Sequence, residues 1–272
     1  TPLNAMILAS LTNIVLDLLF VLVFRWGIAG AAAATLIAQA ASTVFCLVRI
    51  RHIEFMNLSR HHFLLKADMA RRLMALGSPM ALQNAIIAIG GIIIQGVVNG
   101  YGVAFIGGFT ASNKLYGILE IAATSYGYAM ITYVGQNLGA GNISRIRKGM
   151  SCASTVAVLT SLLIAAVMLI FGKQIVGAFL SGTPEEVLQA TNVGYVYLSF
   201  MSVCLPVLYI LHVSRSAVQG MGNTVLPMVS GIAELIMRTG GVLLLPALIG
   251  ENGIFLAEVS AWAGAVLILI PS

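Results

Sequence analysis

The chain has 272 residues, of which 8% are charged and 59% hydrophobic, and its mean hydropathy is +0.99. A soluble fold carries about 25% charged residues, so this composition excludes a soluble domain. The formal net charge of +5 would suit a nucleic-acid binder, but most of the basic residues sit between long apolar runs and report topology instead.

A helix needs about 20 mostly apolar residues to cross the hydrocarbon core. Eight stretches meet that need: 3–24, 28–50, 73–99, 104–134, 150–171, 190–212, 225–248 and 253–270. Lipid offers no partner to an unpaired backbone group, and the runs are too long and too evenly apolar for barrel strands. The predicted fold class is an all-α, polytopic transmembrane helical bundle. Cys46, Cys152 and Cys204 lack metal-type spacing and read as small buried hydrophobes, not as a disulfide set or a ligand cluster.

The first span carries Asp17 two-thirds of the way along, with Asn13 one turn earlier. A hydrogen bond to Asn13, a bond to another helix, or a place in a cavity are all open to it. Residues 51–72 form the long polar linker of the chain and divide it into 1–50 and 73–272.

On the third span Asn84, Ala88, Gly91 and Gln95 share a face, which reads as close packing through small residues or as a cavity wall. The fourth span places Asn113, Tyr116, Gly117, Glu120, Thr124 and Gly127 along one face. A polar, small-residue stripe around a carboxylate suits a cavity lining. There Glu120 can release a proton or bind a cation on one side of the membrane and reverse this on the other. The alternative for Glu120 is a packing carboxylate paired with Lys114 or with another helix. Lys114 lies too deep to snorkel fully and needs Glu120 or another acid as partner, although six residues apart the two do not share a face.

Tyr195 and Tyr197, with Tyr209, offer aromatic contacts to a cation or anchors at the membrane interface. Pro79 and Pro206 can bend their helices. On the seventh span Glu234 and Arg238 are four apart and are predicted to pair along one helix face.

The basic residues set the orientation. Arg49, Arg51, Arg60, Lys66, Arg71, Arg72, Arg145, Arg147, Lys148 and Arg215 fall in three alternate connections. The other side holds Arg25 and Lys173 beside Glu185, Glu186 and Glu251. By the positive-inside rule the basic side is cytoplasmic, with both ends of this chain on it. Two hairpins also resemble each other. One runs from Thr1 and Pro2 to Gly27-Ile28, the other from Thr224 and Pro227 to Gly253-Ile254. Transporters are often built from repeated halves, and on that pattern four helices would precede this chain.

Several motifs then carry a family resemblance. The run Val134-Gly135-Gln136-Asn137-Leu138-Gly139-Ala140-Gly141 resembles the "VGQNLGAG" signature of multidrug and toxic-compound extrusion (MATE) exporters. Gln219-Gly220-Met221-Gly222-Asn223-Thr224, Asn13-Ile14-Val15-Leu16-Asp17 and Gly77-Ser78-Pro79-Met80 resemble further segments of that family in the same order.

The resemblance implies two six-helix lobes around a cavity, with this chain supplying helices five to twelve. Residues 1–50 would then be the last two helices of the N-lobe, 51–72 a cytoplasmic inter-lobe linker, and 73–272 a six-helix C-lobe. It also implies export of cationic or amphipathic compounds across the cell membrane in exchange for H⁺ or Na⁺. One departure stands out: where sodium-coupled members carry a seventh-helix carboxylate, this chain has Ala85-Ile86-Ile87.

The candidate ion-coupling residues are Glu120, Glu234 and Asp17. The candidate cavity residues are Asn84, Gln95, Asn113, Lys114, Tyr116, Thr124, Arg238 and Tyr209. No nucleophile, metal or nucleotide motif stands out, so no cofactor, ATP or nucleic acid is expected. The expected partners are small molecules and membrane lipids. A lipid-linked saccharide flippase of similar architecture and a non-transporting fragment are the alternatives.

Overall fold

The structure, a computed structural model, describes residues 2–51 and 66–269 and is all-helical across them. Most of the expected linker, Arg60 included, lies outside the described residues, as do Thr1 of the repeat and position 270 at the end of the last predicted span. The chain divides into two compact units, Thr1–Ala70 and Arg71–Ser272.

In the first unit α1 (Pro2–Asp17) widens into a π-helical segment, Leu18–Val23, before turning into α2 (Gly27–Arg51). The turn uses left-handed backbone at Arg25 (φ 57°) and Gly27 (φ 56°). Close approach of the two helices depends on small residues: Ala5, Gly30, Ala34 and Ala38 are buried. Ser42 Oγ donates to the Ala5 carbonyl at 3.2 Å. Phe20 stacks near Trp26 and Phe24, with centroids 5.0 and 5.9 Å away, and closes the turn.

The second unit holds most of α3 (Ala67–Val98), then α4 (Val103–Gly139), α5 (Ile143–Ala178), α6 (Pro184–Gly220), α7 (Val225–Ile249) and α8 (Asn252–Leu269). Helix α6 is the central member, packed on α4, α5 and α8, while α7 pairs with α8. Its start is fixed locally. Thr183 and Glu186 form a reciprocal capping box, with Pro184 in the first turn.

The α4–α6 crossing is tight enough that a Cβ on Gly194 would come within 2.7 Å of the Gly108 carbonyl oxygen. Ser112 Oγ donates to the Gly194 carbonyl at 2.7 Å at the same crossing. A buried aromatic group, Phe105, Phe109, Tyr197 and Phe255, then fills the space between α4, α6 and α8.

The two signature runs form helix–helix turns. In the first, α4 ends at Gly139, Gly141 takes φ 72°, and Asn137 Nδ2 donates to the Tyr133 carbonyl at 2.8 Å. In the second, Gly222 takes φ 86° and Asn223 Oδ1 accepts from the Leu226 amide at 3.1 Å. The helix ends meet, since a Cβ on Gly220 would lie 2.8 Å from the Ile131 carbonyl oxygen.

Seven of the described helical spans are long and apolar enough to cross a membrane. Helix α4 is long enough as well, but Asn113, Lys114, Glu120, Thr124 and Ser125 interrupt its apolar character. Several helices overrun the predicted apolar stretches: α3 starts at Ala67, α5 at Ile143, and α6 continues to Gly220. The overrun of α6 matters most. It places Arg215, expected in a cytoplasmic connection, inside a helix where it is buried.

Candidate functional site

A cavity of about 360 Å³ lies within the second unit, inside the usual size range for small-molecule sites. Its walls come from five helices. Helix α3 gives Gln83 and Asn84, and α4 gives Tyr116, Glu120, Thr124 and Tyr128. Helix α6 gives His212, Arg215 and Gln219, α7 gives Glu234 and Arg238, and α8 gives Glu258 and Trp262.

These side chains arrive by ordinary helix geometry. Tyr116, Glu120 and Thr124 recur every four residues on α4, as do Glu234 and Arg238 on α7 and Glu258 and Trp262 on α8.

The charges are arranged as a ladder. Arg215 Nη2 lies 2.8 Å from Glu234 Oε2, Arg238 Nη2 lies 2.9 Å from Glu234 Oε1, and the same Arg238 nitrogen lies 3.0 Å from Glu258 Oε1. Ser230 Oγ accepts a further bond from Arg215 at 3.2 Å. All four ladder residues are buried. Unpaired charges at that depth are costly, and mutual pairing with hydrogen bonds is what makes their burial tolerable. The ladder also ties α6, α7 and α8 together.

Glu120 stands apart from it. Its Oε1 lies 3.5 Å from His212 Nε2, and its side chain is 37% exposed, against 5% for Glu234 and 11% for Glu258. Of the three carboxylates lining the cavity, it is the one with no arginine partner among the described residues. Thr124 does not share its proton with this carboxylate, because its hydroxyl bonds to backbone carbonyls of α4 instead. On the cavity wall, Tyr116 and Trp262 stack with centroids 5.7 Å apart. Helix α3 closes another wall, where Gln219 Nε2 donates to Gln83 Oε1 at 3.1 Å and Gly90 leaves room for the Arg238 stem.

The predicted residues divide between this cavity and other places. Glu120, Glu234, Arg238, Asn84, Tyr116 and Thr124 line it together. The pair expected between Glu234 and Arg238 is present. Gln95 instead donates to Asn99 at 2.8 Å near the far end of α3. Asn113 accepts from the Tyr197 hydroxyl at 3.4 Å, and Lys114 is exposed. Tyr209 is buried and donates to the Leu119 carbonyl at 3.0 Å, so its hydroxyl braces α6 on α4.

Tyr195 likewise donates to the Leu169 carbonyl, and the Lys173 ammonium sits 5.3 Å from its ring centre. The packing face of α3 also differs from the expected one. Gly91 faces open space, while Gln83, Ile86, Gly90 and Ile94 are buried.

Asp17 lies in the first unit, where α1 passes into the π-helical segment. Asn13 does not bond to it but donates to Thr35 at 3.4 Å. Asp17 Oδ1 is buried without a hydrogen-bond partner among the described residues.

Several cavity residues were not anticipated, among them His212, Arg215 and Glu258. Glu258 had a usable signal, an acid within an otherwise apolar run. His212 and Arg215 sit at the edge of the apolar run 190–212, where hydropathy alone ends the span.

Comparison with known proteins places this architecture. The chain is 31% identical over 255 residues to the probable multidrug resistance protein YpnP of Bacillus subtilis (strain 168), covering 93% of this chain and 56% of that protein. A MOP superfamily transporter from Pyrococcus furiosus superposes with a TM-score of 0.88 at 19% identity, covering 98% of this chain and 60% of that one. A MATE structure in complex with MaL6 gives a TM-score of 0.89, also at 19% identity and with the same coverage. The chain therefore spans a little over half the length of these proteins. The MatE family model matches residues 79–240, which include α4 to α6 and the ladder residues Arg215, Glu234 and Arg238. A multi-pass membrane protein with these helices, these turns and this match belongs to the MatE family.

Proposed function

We propose that the chain forms the later part of an ion-coupled exporter of cationic or amphipathic small molecules. In this reading the first unit is the last helical pair of an N-lobe, and the second is a six-helix C-lobe holding an ion-coupling cavity. The observation that carries it is the state of Glu120. It is a half-exposed carboxylate in a cavity whose other two carboxylates are already bound to arginine. A carboxylate at membrane depth without a fixed countercharge attracts a mobile one, either a proton, a metal ion or an organic cation.

The name of the Bacillus subtilis relative, a probable multidrug resistance protein, supports small-molecule drugs as substrates. The basic residues Arg49, Arg51, Lys66, Arg71, Arg72, Arg145, Arg147 and Lys148 are exposed, which supports placing that side on the cytoplasmic face of the cell membrane. The cavity also argues against a flippase for anionic lipid-linked sugars, since both of its arginines are neutralised by carboxylates.

The test is transport by the protein that carries this chain, reconstituted in vesicles with ethidium as the probe. Efflux is expected while an H⁺ or Na⁺ gradient is held and should stop when ionophores dissipate both. Undiminished efflux without a gradient would refute ion coupling.

A further inference from the structure

We propose that Gln83 and Gln219 form an uncharged recognition point in the cavity, built for the donor–acceptor edge of a cyclic amide such as a lactam or imide. The inference rests on reading the cavity as the substrate site and adds a substrate feature other than charge. The two side chains meet from α3 and α6 and make half of the contact that two amides can make. Gln219 Nε2 donates to Gln83 Oε1 at 3.1 Å. The return bond from Gln83 Nε2 to Gln219 Oε1 is not formed, and neither atom has another partner among the described residues. Neither is enclosed by protein either, so both open onto the cavity that their residues line.

A ring holds its amide cis, so a lactam or imide carries C=O and N–H side by side on one edge. Its carbonyl can accept from Gln83 while its N–H donates to Gln219, which completes the open side of the pair. Turning both glutamine amides over exchanges donor and acceptor but leaves one of each. The complementarity holds in either orientation.

The surrounding packing fixes this point in place. Gln83 is 3% exposed, and a Cβ on Gly231 of α7 would lie 3.1 Å from its Cγ, so the stem is held. Ser216, one turn before Gln219 on α6, is also buried and lines the cavity, and its hydroxyl has no partner among the described residues. Gly127 leaves that hydroxyl its room, since a Cβ there would come within 2.7 Å of Ser216 Oγ. Buried polar groups are as a rule hydrogen-bonded. Three that are not, on one cavity wall, mark a place for a polar ligand. The charged ladder is not needed for it, because Arg215 already directs Nη2 to Glu234 and Ser230.

The position also sets a spacing. Gln219 lies two turns beyond His212, the α6 residue in contact with Glu120, about 10 Å along the helix axis. A substrate that engages both points carries its amide edge about that far from its cationic centre.

The experiment is calorimetric titration of the purified chain in lipid nanodiscs with two matched probes. Both are uracils with a trimethylammonium group on an arm from N1 that spans about 10 Å. One keeps the N3 hydrogen and the other is methylated at N3. The wild type is expected to bind the N3–H probe at least about tenfold more tightly, since a site built to hydrogen-bond a group rejects the analogue that lacks it. Gln83→Met and Gln219→Met should each reduce that preference to less than about twofold. Equal affinity of the two probes for the wild type would overturn the proposal and leave the open side of the pair to water. A preference that persists in both methionine variants would overturn it as well, as would the failure of both probes to bind. Glu120→Gln should weaken both probes and keep their ratio. If it binds both as the wild type does, the cation reading of Glu120 falls while the amide point stands.

Discussion

Replacing Glu120 with glutamine is expected to weaken ethidium binding by at least about tenfold, which corresponds to about 1.4 kcal/mol, and to abolish gradient-driven efflux. The substitution keeps the shape of the side chain and removes its charge. At an effective dielectric near 20, two unit charges about 4 Å apart interact by about 4 kcal/mol, so a tenfold loss is a conservative expectation for a half-exposed site. Folding should change little, because the Glu120 side chain is 37% exposed and no arginine depends on it. Lys114→Gln is the matched control. It removes a charge from the same helix at an exposed position outside the cavity, and binding should be unchanged. Fluorescence titration of the two variants checks this directly, and equal losses would show a general electrostatic effect instead of a site.

The largest effect on stability is expected at Arg238. This guanidinium bridges Glu234 and Glu258, so Arg238→Leu leaves Glu258 buried without its ion partner, while Glu234 keeps Arg215. Breaking a buried pair from one side typically costs about 3–5 kcal/mol. Arg215→Leu should cost clearly less, because Glu234 still binds Arg238 and only the Ser230 contact is otherwise lost. Pairing Arg238→Met with Glu258→Gln should recover much of the loss, since no uncompensated charge then remains at the α7–α8 contact. Unfolding in mixed detergent micelles gives the comparison. An Arg238→Leu protein as stable as wild type would mean that the ladder is not what holds α6, α7 and α8 together.

The sequence was most informative where one rule governs the outcome. Span number follows from lipid having no partner for the backbone, and the described helices lie where the apolar runs do. The Glu234–Arg238 pair follows from helical periodicity, and the stripe Tyr116, Glu120 and Thr124 follows from the same rule.

The cavity as a whole was less legible, for two physical reasons. Hydropathy loses the end of a helix when its last turns face a polar cavity, which is why Arg215 read as a loop residue although α6 runs on to Gly220. Periodicity also says which residues share a face but not what that face meets. Asn113 and Gln95 shared faces with cavity residues, yet sit against Tyr197 and Asn99. His212 meets Glu120 only because α4 and α6 cross closely at their glycines, a tertiary contact that a single helix does not encode.

The central claim is that an organic cation occupies the cavity beside Glu120, and the most direct measurement is a crystal structure with an iodinated monovalent organic cation. Anomalous scattering should place the iodine within the cavity bounded by Glu120, His212 and Trp262 in the wild type, with no peak there in Glu120→Gln. A peak that persists in Glu120→Gln, or one that lies only outside the cavity, would contradict it.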